Sequence, residues 1–186
     1  MEIAICYIAV YLAEAFIIEQ YASVLFVPRY SRRTEIFMLL FLYSILYGIS
    51  FGKNPLLNTS SFFVANFIFL LFSYDIKWAT ALFHAAITTT VMGLSEMVVV
   101  GVISNIAENY YASGRYFNNA MTLLFTSKPL YFLFLYAISH SLIKTPKDHE
   151  KNTLKEIILF SIIPLTSVWI DLTFLFKSTY ASLQVF

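Results

Sequence analysis

Polar residues in this chain are gathered into short interruptions between long apolar runs, and those interruptions set the predicted elements. About 20 largely apolar residues cross the hydrocarbon core of a bilayer. On that rule the chain divides into helices over 3–26, 35–51, 58–73, 78–104, 121–144 and 156–176. The first is closed by Val27-Pro28 and a basic turn with Arg29, Arg32 and Arg33, the second by Gly52-Lys53-Asn54-Pro55, a set of helix-stop signals. Asn58-Thr59-Ser60 offers N-cap side chains to the third, which also accounts for its Asn-x-Ser spacing without a sugar. Asp75-Ile76-Lys77 makes a tight turn into the fourth. A longer polar stretch, 105–119, carries Glu108, Arg115 and several tyrosines, rings suited to the membrane–water interface. Lys128-Pro129 falls inside the fifth helix or at its start, where a first-turn proline is tolerated. The segment 145–155 is the most polar of all, and Pro164 predicts a kink in the sixth helix.

Ionisable groups inside the apolar runs change this picture from a list of spans to a set of pairing problems. The fourth run, Trp78–Ile103, carries Glu96 well inside it, at a depth where a charge costs about 2.5–3.5 kcal/mol on insertion scales. Around it stand His84, Thr88, Thr89, Thr90, Gly93 and Ser95, which permit close helix contacts and interhelical hydrogen bonds. Glu14 lies near the middle of the first run, Glu19 near its end and Asp171 late in the sixth. Glu19 is in reach of the arginine turn, and Asp171 of Lys177 or the interface. Glu14 and Glu96 have no cation one or two turns away on their own helices. Two roles stay open for them: a structural one, protonated or hydrogen-bonded to a neighbour's serines and threonines, and a functional one as a ligand-contacting or coupling carboxylate. Burial makes protonation accessible, because desolvation raises a carboxylate pKa.

Composition narrows the function classes. With 59% hydrophobic, 18% aromatic and 12% charged residues, the chain is far more apolar than soluble domains at about 45–50%. The expected fold is all-α, a polytopic bundle of about six transmembrane helices with the lipid bilayer as its main partner. A net charge of +1 gives no electrostatic footprint for nucleic acid. The single cysteine, Cys6, has no second thiol for an internal disulfide. His84 and Glu96 are separated by about 18 Å of helical rise, so they cannot share a metal ion. No nucleophile–base pair or phosphate-cradling glycine loop is evident, and no catalysis, metal or other cofactor is expected.

Orientation is read from Lys and Arg in short loops. With the N-terminus outside, Arg29, Arg32, Arg33, Lys77, Lys144, Lys147, Lys151 and Lys155 face the cytoplasm, against Lys53, Arg115, Lys128 and Lys177 outside. That bias predicts an outside N-terminus. Met1-Glu2 lacks the positive start of a signal peptide, so the first run reads as a retained helix.

Four segments, YLAEAFIIEQYASVLF, NPLLNTSSFFVANF, FHAAITTTVMGLSEMVVVGVI and SIIPLTSVWI, together resemble the membrane sensor region of AgrC-type quorum-sensing histidine kinases of the GHKL class. The resemblance extends over nearly the whole chain, with LSEMVV and SIIPLTS its most specific parts. It implies a homodimeric receptor module in the bacterial plasma membrane that takes a secreted peptide at its outer face and passes a helix rearrangement to a cytoplasmic kinase. By position, the outer surface would include Asn54, Asn58, Glu108 and Arg115, with Glu14, Glu96 and Asp171 as intramembrane coupling candidates. The chain departs from the family in lacking a last helix back to the cytoplasm, a phosphoacceptor helix and an ATP-binding domain; His149 lies in a charged, solvated loop. The expectation is therefore a sensor module without its catalytic part. A membrane subunit that binds substrate for a small-solute or vitamin importer is the rival reading, favoured by size and opposed by the charge bias. A structural membrane protein is the third.

Overall fold

The computed structural model describes residues 2–52, 54–111 and 116–143. Over them it is all-helical: α1 (Glu2–Leu25), α2 (Arg32–Ser50), α3 (Pro55–Ser73), α4 (Trp78–Tyr111) and α5 (Tyr116–Ile143). Three of these contain stretches long and apolar enough to cross a membrane: Tyr7–Leu25, Arg32–Ser50 and Trp78–Val99. The expected sixth helix, with Asp171, lies outside the described residues.

Each helix packs on the next in sequence, and α5 returns to α1, so the five close into a ring. The inward stripe of α1 is Val10, Tyr11, Glu14, Ala15, Ile17, Ile18, Tyr21 and Ala22, the i, i+3, i+4 spacing of one helical face. Its outward stripe, with Ile8, Leu12, Phe16 and Val24, is exposed and just as apolar. On α2 the buried residues are Glu35, Leu39, Tyr43 and Leu46, while Ile36, Phe37, Leu40, Phe41 and Ile45 face out. Carboxylates inside and phenylalanines outside suit a lipid surround, where apolar side chains need no burial in protein. Small residues on α4, Ala81, Ala85, Thr88 and Ser95, are buried and let neighbouring backbones approach closely.

Several boundaries differ from the sequence expectation. Helix α2 begins at Arg32, so Arg32 and Arg33 are helical, with extended Ser31 as the N-cap. Helix α3 begins at Pro55, because Asn54 supplies the cap: its side chain accepts the Leu57 N–H at 3.2 Å, and proline fits the first turn. Asn58 is thus not the cap; its Oδ1 accepts a hydrogen bond from the Tyr11 hydroxyl at 3.0 Å and ties α3 to α1. Helix α4 continues to Tyr111, past the predicted end at Ser104, since residues 105–111 contain no proline or glycine to stop it. Its 34 residues amount to about 51 Å, longer than a hydrocarbon core of about 30 Å. Helix α5 starts at Tyr116 rather than 121, which puts Lys128 and Pro129 in its interior.

At one end of the ring the α1–α2 and α3–α4 turns are stitched together. Pro28 and Tyr74 form an antiparallel bridge, with Arg29 N–H to Ser73 C=O at 2.8 Å and Asp75 N–H to Val27 C=O at 3.1 Å. The Arg29 and Asp75 side chains meet at 3.5 Å outside it. These bonds satisfy backbone groups that the helix ends leave open.

Candidate functional site

Three helices bring their charged residues to one point in the middle of the ring. Lys128, from the interior of α5, reaches between Glu14 of α1 and Glu96 of α4: its Nζ donates to Glu96 Oε1 at 2.8 Å and pairs with Glu14 Oε1 on the other side. The Lys128 and Glu14 side chains are each 6% exposed, and that of Glu96 is 35% exposed. Glu14 and Glu96 are therefore linked through a shared cation. The hydroxyls of Thr88 and Thr89 turn back to Ala85 C=O at 3.0 and 2.8 Å, and that of Ser95 to Val91 C=O at 2.7 Å, all within α4. Hydroxyls on a helix find their own carbonyls readily. Glu96 also stands nearer the middle of its helix than expected, because α4 is longer at its far end.

Lys128 is the residue that sequence reasoning assigned wrongly, as an outer-loop charge. Its signal was present: two buried acids without cations on their own helices require one from elsewhere. Lys128 is the one Lys or Arg between Arg115 and Lys144, with Met121-Thr-Leu-Leu-Phe before it and Leu130-Tyr-Phe-Leu-Phe-Leu after it. A lysine needs such partners to sit at that depth. Beside the triad, the hydroxyl of fully buried Tyr131 has no hydrogen-bond partner among the described residues. Two acids and one lysine leave one negative charge in excess when all three are ionised.

A second buried polar contact lies nearer the stitched end. The Tyr21 hydroxyl and His84 Nδ1 are 2.7 Å apart, joining α1 to α4, and Phe26 packs edge-on against the His84 ring at 4.8 Å. His140 is different: it is exposed and stacks on Tyr136 of its own helix at 4.0 Å. Tyr43 donates to Asn66 Oδ1 at 3.1 Å, fastening α2 to α3. Glu19 does reach the arginine turn, 3.5 Å from Arg32. Among the described residues, no three His, Cys, Asp or Glu side chains gather closely enough to hold a metal ion.

Of the outer-surface candidates, Asn54 caps α3 and Asn58 is engaged with Tyr11. Glu108 falls on the extended end of α4, and its side chain, like Arg115 and Asp171, lies outside the described residues. Comparisons with protein-family models, with curated proteins and with solved structures returned no match for this chain.

Proposed function

We propose that this chain is the sensor module of a membrane receptor of the histidine-kinase type, working as a homodimer and answering to a secreted peptide. The observation that carries the mechanism is the sharing of one lysine between carboxylates on two different helices. Lys128 on α5 holds Glu14 on α1 and Glu96 on α4 at once, and in this reading it can move closer to either. A ligand that shifts α4 against α1 at one face of the membrane changes which acid holds the lysine, and α5 moves with it. A packed element with two discrete arrangements is what an allosteric transition requires. The likeness of nearly the whole sequence to AgrC-type sensor regions supplies the ligand class. Lys128, being buried, also leaves the outer-loop charge count, which falls to Lys53, Arg115 and Lys177 against the eight on the other side. That strengthens the expectation of an outside N-terminus.

The test uses the full-length gene product in membranes, with cysteine pairs across α1 and α5 as the readout. Peptide fractions from the spent medium of the source cells are expected to change the cross-linking yield in the parent protein and not in Glu96→Gln or Lys128→Met variants that still insert. If no fraction alters the yield, or if reporter fusions place the N-terminus inside, the reading fails.

A further inference from the structure

The stitched end of the ring contains a cleft of about 330 Å³ between α1, α2 and the α3–α4 turn, walled by Glu19, Gln20, Arg32, Glu35 and Tyr74. Two polar atoms on this wall, Glu35 Oε1 and the Tyr74 hydroxyl, are buried and have no hydrogen-bond partner among the described residues. Glu35 is 4% exposed and Tyr74 is 0% exposed, so neither residue is readily served by bulk water. Buried polar groups in folded proteins are almost always paired, and an exception points to a missing partner. Glu19 stands in the same wall, accepting from Gln20 Nε2 at 2.7 Å. Arg32 is held there loosely: its Nη2 is 3.5 Å from Glu19, and its side chain is 73% exposed.

The chemistry of the wall is thus divided. Glu35 and Glu19 form an acceptor-rich floor that suits an ammonium with N–H donors. Arg32, at the rim, presents a guanidinium suited to phosphate oxygens. Burial raises the Tyr74 hydroxyl above the ordinary phenol range, with Glu35 and Glu19 adding to the effect, so it stays protonated and can donate as well as accept. Exposed apolar side chains flank the cleft along the chain: Val24 on α1, and Ile36 and Phe37 on α2. A ligand with a cation, a phosphate and apolar chains meets all of these features.

We propose that this cleft takes the headgroup of an aminophospholipid of the phosphatidylethanolamine class, its ammonium on Glu35 and Glu19, its phosphate on Arg32 and its acyl chains along Val24, Ile36 and Phe37. The proposal rests on membrane embedding and not on the sensor reading, so either can fail without the other. The lipid braces the end of the bundle where four helices are tied by two turns.

The experiment places the purified full chain in nanodiscs of equal parts phosphatidylethanolamine, phosphatidylcholine and phosphatidylglycerol and reads the lipids retained after mild detergent extraction. Retention of the ethanolamine lipid is expected to exceed that of the other two by about tenfold, the scale of one charge-assisted hydrogen bond. Choline lipid keeps the phosphate but has no N–H donor, and glycerol lipid lacks the cation. Glu35→Gln is expected to bring the preference close to one, whereas Arg32→Ala, which removes the phosphate contact common to the three lipids, is expected to lower retention of the ethanolamine lipid severalfold. Arg32, being mostly exposed, can be removed without opening the core, so this variant keeps the test valid if Glu35→Gln does not fold. Equal retention of the three lipids, or retention of the ethanolamine lipid unchanged in Arg32→Ala, overturns the proposal. So does protection of the thermal midpoint by free phosphoethanolamine as strong as that by the lipid, since that outcome assigns the site to a soluble ligand.

Discussion

Replacing Lys128 with methionine tests whether the central triad is held by charge or merely by packing. Methionine is close to the lysine stem in length and shape and removes the ammonium, so little cavity is created. The gross attraction at the 2.8 Å Lys128–Glu96 separation is about 6 kcal/mol at an effective dielectric constant of 20. Desolvation of the ions offsets several kcal/mol of it. What the variant exposes is the other half of the balance: Glu14, fully enclosed, is left facing Glu96 with no cation between them. Removing one partner of a buried pair costs about 3–5 kcal/mol. For a chain of this size that lowers the thermal midpoint by on the order of 10 °C. Glu96→Gln should cost less than Lys128→Met, because the Glu96 side chain is 35% exposed and its Glu14 neighbour keeps the lysine. The triple variant Glu14→Gln, Lys128→Met, Glu96→Gln removes the charges together and should recover most of the loss. The assay is thermal unfolding in detergent followed by size exclusion, with SDS titration as a second measure. If Lys128→Met is as stable as the parent, or if the triple variant is as unstable as Lys128→Met, charge pairing is not what holds α1, α4 and α5 together.

Tyr21→Phe deletes the hydroxyl that meets His84 Nδ1 at 2.7 Å and should cost about 0.5–1.5 kcal/mol, with the α1–α4 contact loosened in cross-linking. An unchanged midpoint and yield would count against a role for this bond. Asn54→Ala removes the α3 cap and should cost about 1 kcal/mol, whereas Asn54→Asp should be nearly neutral; equal losses in both would argue against capping. For Arg29 and Asp75, with side chains 41% and 83% exposed, a double-mutant cycle should give a coupling of less than about 1 kcal/mol, falling with salt. A large, salt-insensitive coupling would mean that the turn pairing depends on the ion pair more than on its backbone bonds.

Helix count and helix ends differ in how far they could be read from the residues. The apolar runs announced the five helices described, three of which hold stretches long and apolar enough to cross a membrane. Their ends were less legible. Asn58 and Asn54 are both competent caps, and only the docking of Tyr11 onto Asn58 engages one side chain elsewhere and leaves the other to cap. The far end of α4 lies at Tyr111, beyond Ser104, because polar residues outside the bilayer extend a helix as readily as apolar ones extend it inside.

The chain's own pattern of apolar runs and isolated acids pointed to a membrane helical bundle in which Glu14 and Glu96 are protonated or meet partners from other helices. Which group pairs with them could not follow from position along the chain. Lys128 is 114 residues from Glu14 and 32 from Glu96 by number, and stands beside a proline inside or at the start of a predicted helix. Closing the ring, with α5 laid against both α1 and α4, is what carries that lysine into the centre. The packing of α1 on α2 and the pairing of the two turns likewise gather Glu19, Arg32, Glu35 and Tyr74, residues of two helices and a turn, around one cleft. Long-range pairing of this kind is a property of packing, where burial makes an unpaired charge costly enough to select one arrangement of helices over the others.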